Sequence, residues 1–301
     1  MKKSIALVAL AFGVTGAFAQ DLTSKKGEPF LPEAGDYAIG IDATPFLNYV
    51  GNFFGKNVAN NAPTWNFANT NLTITGKSFK DANTAYRASI NLGFANNGGK
   101  IMVTDRSVTT PPTYPTLPTQ VENKYKSSST SIGLSAGIEK RRGKTRLQGV
   151  YGAEVGLGIN TSGSKYTYGN ALSVSATNPV GVSTSGDGMN GNANITTDSY
   201  GNSARVTKVK NGLAFSFGVR AFVGAEYFVA PKVSIGGEFG WGLGLSINGK
   251  STTSLESIGG TTPAVGTQER EGAKSSSFVL GTDNKNAFFG PAASLRLNLH
   301  F

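Results

Sequence analysis

From residue 36 onward, apolar side chains alternate with glycine, serine or charged ones in a period of two. In 36–46, Tyr37, Ile39, Ile41 and Ala43 share one face, and Ala38, Gly40, Asp42 and Thr44 the other. Such a period places successive side chains on opposite sides of a β-strand. The rhythm recurs in 84–94, where Tyr86, Ile90, Leu92 and Phe94 oppose Arg87, Ser89, Asn91 and Gly93. In 129–139, Ile132, Leu134 and Ile138 oppose Gly133, Ser135, Gly137 and Glu139. In 146–158, Leu147, Tyr151, Val155 and Leu157 oppose Gln148, Gly152 and Glu154. In 213–228, Phe215, Phe217, Val219, Val223 and Tyr227 oppose Ser216, Gly218, Arg220, Gly224 and Glu226. In 232–246, Val233, Ile235, Phe239, Trp241 and Leu245 oppose Ser234, Gly236, Glu238 and Gly242. In 287–301, Phe289, Leu295, Leu297, Leu299 and Phe301 oppose Gly290, Arg296, Asn298 and His300. A weaker strand fits 71–79, with Leu72 and Ile74 outward; its phase breaks between Phe67 and Leu72.

The pattern predicts an all-β chain of about eight strands, each reaching the ~9–11 residues that a tilted strand needs to cross a bilayer. In a soluble sandwich the apolar face would form the core. Here the opposite face is mostly Gly and Ser with scattered charge, which suits a narrow polar barrel interior, while the apolar face suits lipid. Three connections are short (80–83, 140–145 and 229–231) and four are long (47–70, 95–128, 159–212 and 247–286). They alternate along the chain, which predicts a transmembrane antiparallel up-and-down β-barrel with long extracellular loops, short periplasmic turns and both termini on the periplasmic side. Residues 109–119 favour an extended polyproline-like stretch. The third long loop, rich in Ser, Thr, Asn and Gly, reads as flexible and exposed. Aromatics fall near strand ends, with Tyr37, Tyr86, Tyr227 and Phe301 at the turn side and Phe94, Phe215 and Phe289 at the loop side, as an interfacial girdle requires.

Composition narrows the chemistry. Charged residues are 15% of the 301, below the ~25% of an ordinary soluble domain. With no Cys, disulfides, thiol catalysis and thiolate metal sites are excluded. A single His weakens any His-based metal centre or Ser-His-Asp site, so no cofactor is expected. At the N-terminus, Lys2 and Lys3 precede the apolar run 5–12 and the small-residue pattern Ala17-Phe18-Ala19. This is the layout of a secretory signal peptide over 1–19, cleaved after about Ala19; as a membrane anchor the run is too short. Residues 20–35 then form a periplasmic N-terminal segment and 36–301 the barrel.

On these residues the chain resembles the small outer-membrane β-barrel family, of the outer membrane protein A and outer membrane protein X type. Leu295, Leu297, Leu299 and Phe301 resemble the alternating, aromatic-terminated last strand of that family, and residues 35–46 resemble first strands of its uncharacterised members. The resemblance implies residence in the bacterial outer membrane, contact with its lipid and lipopolysaccharide, and insertion by the barrel assembly machinery through that last strand. It covers the strands and leaves the loops' partner open.

The inward charges are the first candidate site. Asp42, Glu154, Arg220, Glu238 and Arg296 fall near mid-barrel, and Arg87, Glu139 and Glu226 nearer the periplasmic end. Charges in a narrow lumen must pair, since an isolated one costs several kcal/mol. They form either a structural network that plugs the lumen or the selectivity groups of a small passive porin-like channel. Lys140, Arg141, Arg142, Lys144 and Arg146 crowd one periplasmic turn, which points to phosphate headgroups of the inner leaflet, or to simple topological bias, rather than to nucleic acid. The loops are available for lipopolysaccharide, adhesion or a partner, or are solvated with no ligand. His300 lies one residue from the C-terminus, far from the outer rim where enzymes of this kind place their base, so no enzyme is expected. A structural or surface-display role is the leading expectation; a channel, or a subunit of a larger envelope complex, is the alternative.

Overall fold

The computed structural model describes residues 22–42, 49, 52–55, 73–110, 112–282 and 294–301. The expected signal peptide lies outside the described residues, as does Phe289 of the expected girdle. The fold is all-β and antiparallel. In chain order the strands are β1 (Tyr37–Asp42), β2 (Thr73–Asp81), β3 (Thr84–Thr104), β4 (Gln120–Arg142), β5 (Leu147–Thr167), β6 (Ser173–Val174), β7 (Pro179–Val180) and β8 (Ile195–Thr197). Then follow β9 (Ser203–Lys210), β10 (Ala214–Ala230), β11 (Val233–Asn248), β12 (Thr252–Gly259), β13 (Ala264–Glu271), β14 (Ser275–Thr282) and β15 (Ser294–His300). Among the described residues there are fifteen strands where about eight are expected, because two of the long connections are themselves strand-bearing.

Eight strands pair in sequence: β1 with β2, β2 with β3, β3 with β4, β4 with β5, β5 with β10, β10 with β11, β11 with β15, and β15 with β1. Among the described residues the ring of pairings is complete at the turn end; past Asn91, β3 pairs with β4, and β14 pairs with β11 from Trp241 to Asn248. Of the last strand expected over 287–301, Ser294–His300 is described and pairs with β11 up to Glu238, residues 283–293 lying outside the described residues; β14 pairs with β11 from Trp241 onward. At the turn end the neighbours are tied together: Tyr37 N donates to Phe301 O at 2.8 Å, Arg141 N to Asn83 O at 2.8 Å, and His300 N to Lys232 O at 2.8 Å.

The pleat sorts side chains as the sequence required. Tyr37, Tyr86, Phe94, Phe215, Tyr227 and Phe301 are exposed, with Ile90, Leu134, Val155, Leu157, Val223 and Trp241 among them. Arg87, Glu139, Glu154, Arg220, Glu226 and Glu238 are buried on the other face. Tyr37 and Phe301 stack with ring centroids 6.5 Å apart. No helix among the described residues is long and apolar enough to cross a membrane.

The inward glycines make room for bulk on the neighbouring strand. Gly152 is paired with Phe222, and a Cβ there would come within 2.8 Å of the ring. Gly224 is paired with Glu238, and a Cβ there would meet the Glu238 Cβ at 3.0 Å. Arg87, Arg220, Glu226 and Phe222 likewise each face a glycine on one neighbouring strand, Gly137, Gly242, Gly236 and Gly240.

Above the band, β3, β4 and β5 continue to 21, 23 and 21 residues. Most of the expected 95–128 loop is therefore strand, leaving 105–119 as connection, and the polyproline-like stretch turns at Thr116, whose amide donates to Thr113 O at 2.9 Å. The expectation of a flexible third loop is corrected as well. Residues 159–212 complete β5, carry β6 to β9, and close a second core of Tyr166, Met189, Ala204, Val206 and Leu255. Those side chains are few and separated by polar runs, so no periodicity announces them; they converge only when β9 pairs with β12 and β5. Burying these five residues adds to the sheet pairing of β9 with β5 and β12 in ordering a polar segment that local propensity would leave loose.

A buried charge network as candidate functional site

The lumen holds two tiers of ionic groups. In the lower tier, Lys77 Nζ lies 2.9 Å from Glu139 Oε1 and 3.6 Å from Glu226 Oε2, and Arg141 Nη2 lies 2.7 Å from Glu226 Oε2. Asn298 Nδ2 and Ser234 Oγ donate to Glu226 Oε1, the former at 2.7 Å. In the upper tier, Arg220 Nη1 reaches Glu154 Oε1 at 2.8 Å and Glu238 Oε1 at 2.9 Å. Arg296 Nη2 joins Glu238 at 3.1 Å. Arg87 links the tiers, with Glu238 at 2.9 and 3.2 Å, Glu154 at 3.3 Å and Glu139 at 3.6 Å. Its guanidinium carbon also stands 4.3 Å from the centre of the Phe222 ring, a contact that desolvation strengthens. Between the tiers is a cavity of about 20 Å³ lined by Lys77, Glu139, Glu226, Glu238, Arg296 and Asn298, room for a single water.

Seven of the eight expected lumen charges therefore meet in one connected cluster. Asp42 pairs with Arg296 by backbone register, and its side chain lies outside the described residues. Mid-barrel and end groups do not form separate sites, because the long Arg87 side chain spans both. Two cations went unrecognised in the sequence. Lys77 follows Thr75 and precedes Phe79 on the inward face of β2, a phase that outward Ile74 already sets. Arg141 was expected among the turn cations; it is 4% exposed, two residues beyond Glu139 on the same face of β4, with its guanidinium carbon 5.2 Å from the Phe79 ring centre and 5.5 Å from that of Phe228. The strand simply runs further than the turn rule supposed. Lys140, Arg142 and Lys144 are exposed, while Arg146 stacks 3.5 Å over the ring of Phe30, holding the segment before β1 against the turn end.

His300 does not assemble a catalytic triad. Its Nε2 faces both Ser234 Oγ, at 3.1 Å, and Glu226 Oε1, at 3.4 Å, whereas a triad needs hydroxyl and carboxylate on opposite ring nitrogens. Ser234 moreover donates straight to Glu226 and is fully buried. The imidazole is packed between Phe79 and Phe228, with centroids at 5.5 and 5.1 Å. Among the described residues no group of His, Asp and Glu is arranged to hold a metal ion.

The arrangement defines an antiparallel strand-rich protein with a polar, ion-paired interior and an apolar exterior. No protein-family model matches the chain, and no curated protein matches it. Among solved structures it is similar to the outer membrane protein OprG from Pseudomonas aeruginosa, at 10% identity over 90% of this chain and 98% of that one, with a TM-score of 0.28.

Proposed function

We propose that the chain is an exported, integral outer-membrane β-barrel with a structural and surface-display role. The eight-strand ring crosses the membrane, the ion-pair network closes its lumen, and the folded cap of 159–212 and 252–271 faces outward. One observation carries this reading: the burial is inverted. Leu157, Val223 and Trp241 are 50%, 48% and 52% exposed, while Arg87 and Glu139 are 3% and 0%. In water a contiguous apolar girdle of that kind is a liability; in acyl chains it is the favoured surface. Short turns at one end and long connections at the other support the orientation, with the turns in the periplasm. Outer-membrane lipid is then the obligatory partner. The reading includes no catalytic step and no cofactor.

Two measurements test it. Outer-membrane fractions should contain a heat-modifiable species, running faster on gels before boiling than after, because a closed barrel resists detergent until heated. Planar-bilayer recording should show no steady conductance. Large, reproducible channels would replace the closed lumen with a pore, and in that case neutralising Arg220 or Glu238 should change ion selectivity.

A further inference from the structure

Six lysines stand on the outer face of the extended sheet, above the apolar band: Lys100 on β3, Lys124 and Lys126 on β4, Lys165 on β5, and Lys208 and Lys210 on β9. Lys126 is in register with Lys165, and Lys165 with Lys208, so three ammonium groups sit side by side on three neighbouring strands. Each of the three is exposed, and among the described residues none has an ion pair or side-chain hydrogen bond. Lys100 also faces Lys124, but Glu122 lies between that pair at 3.0 and 2.8 Å. Beyond β9 the row continues through Ser254 on β12 to Glu269 on β13, so the next carboxylate is two strands away from Lys208.

Like charges directly opposite each other on a sheet destabilise it. Strands spaced ~4.8 Å apart bring these three cations within about 10 Å of one another. Among the described residues no carboxylate stands on the strands that carry the three cations at their register, so an external anion is the natural complement.

The height of the row selects the anion. Ile132 and Ile159 are the last aliphatic pair on the outward face, and Lys126 and Lys165 follow six residues further along their strands. That is ~20 Å along the strand and, at a tilt of about 40°, ~15 Å along the membrane normal. The polar headgroup layer extends only ~5–8 Å beyond the hydrocarbon edge. The row therefore stands above the phosphates of a phospholipid leaflet, at the level of sugars attached to a glycolipid.

We infer that Lys126, Lys165 and Lys208 form a binding site, on the outside of the barrel wall, for the phosphate and carboxylate groups of the lipopolysaccharide core. The inference rests on the outer-membrane reading above. Lysine suits the task because its compact charge on a flexible stem needs no fixed geometry from a heterogeneous saccharide.

The test uses the full chain refolded in detergent, with two probes: a rough lipopolysaccharide carrying lipid A and its first acidic core sugars, and phosphatidylglycerol. Wild type should bind the lipopolysaccharide about tenfold more tightly than phosphatidylglycerol, and K126Q/K165Q/K208Q should lose about that factor, as expected for three exposed charge contacts. Added salt at about 0.5 M should weaken wild type toward the variant. In the absence of the glycolipid the triple variant should melt no lower than wild type, since it has lost only a repulsion. Unchanged affinity in a variant that keeps its heat-modifiable mobility overturns the lysine site and leaves the barrel standing. Equal affinity for both probes overturns it in favour of headgroup phosphate. Loss of heat-modifiable mobility in wild type overturns the outer-membrane reading, and this inference with it.

Discussion

Arg87 on β3 and Glu238 on β11 are 151 residues apart in the chain, yet their guanidinium and carboxylate meet across the lumen at 2.9 and 3.2 Å. The two strands are not neighbours; β2, β1 and β15 lie between them in the ring. The pair is a strut through the interior, and Glu238 also anchors Arg220 and Arg296.

Glu238→Gln should therefore be the most disruptive single neutralisation in the tube. Three guanidinium groups would share a neutral amide, and breaking a buried ionic contact from one side costs about 3–5 kcal/mol. The urea midpoint of the refolded barrel should fall accordingly. Adding Arg296→Met should recover part of the loss, because the surplus cation goes too; a double variant no better than the single one would show that Arg296 is not coupled to Glu238.

The glycine packing makes a steric prediction. Gly152→Ala drives a methyl into the Ile138 carbonyl on β4 as well as against the edge of Phe222, and should cost about 1–3 kcal/mol or more by overpacking. Gly149→Ala, on the outward face with nothing nearer than 3.4 Å, should be neutral. Equal folding yields and midpoints for the two would remove the argument.

The cap should be a folded unit, not a loose loop. Leu255 is 1% exposed beside Met189 and Tyr166, so Leu255→Ala should cost the cap about 2–5 kcal/mol. Limited proteolysis should then cut 168–211 readily while the barrel keeps its heat-modifiable mobility. Equal cleavage of wild type would mean the cap core does not hold.

Asp36, just before β1, ties the N-terminal segment to the β10–β11 turn through Lys232. Partial burial opposes its ionisation, but the Lys232 ammonium and the Glu33 amide outweigh that and hold its carboxyl below the usual range. A carboxyl lowered by folding stabilises above its unfolded value, near pH 4, and loses that contribution as pH falls through the folded value. Relative to the intrinsic exchange rate at each pH, the amides of residues 22–35 should be protected at pH 6 and lose protection below about pH 4. In Asp36→Asn their protection should be lower at pH 6 and nearly unchanged across that range.

Much of this molecule follows from a local rule. Successive strand residues point to opposite sides, so Tyr86 beside Arg87 and Val155 beside Glu154 are enough to assign an apolar and a charged face without knowing any partner. The same phase already places Lys77 beside Thr75, and Arg141 beyond Glu139, inside the barrel. What the residues alone cannot say is where a strand stops when polar side chains extend it, as in 95–104 and 120–128, because nothing local distinguishes a polar strand from a loop.

The chain's own alphabet determined the two-faced pleat, the alternation of turn and loop, and the identity of the charges that must be neutralised within. Tertiary structure decided which carboxylate takes which guanidinium, that Phe222 lies against Gly152, that β14 and β15 divide one edge of β11, and that a cap condenses around Met189 and Leu255. The first set depends on contacts between sequence neighbours. The second depends on separations of tens to hundreds of residues, which have no energy until the sheet curls and brings them together.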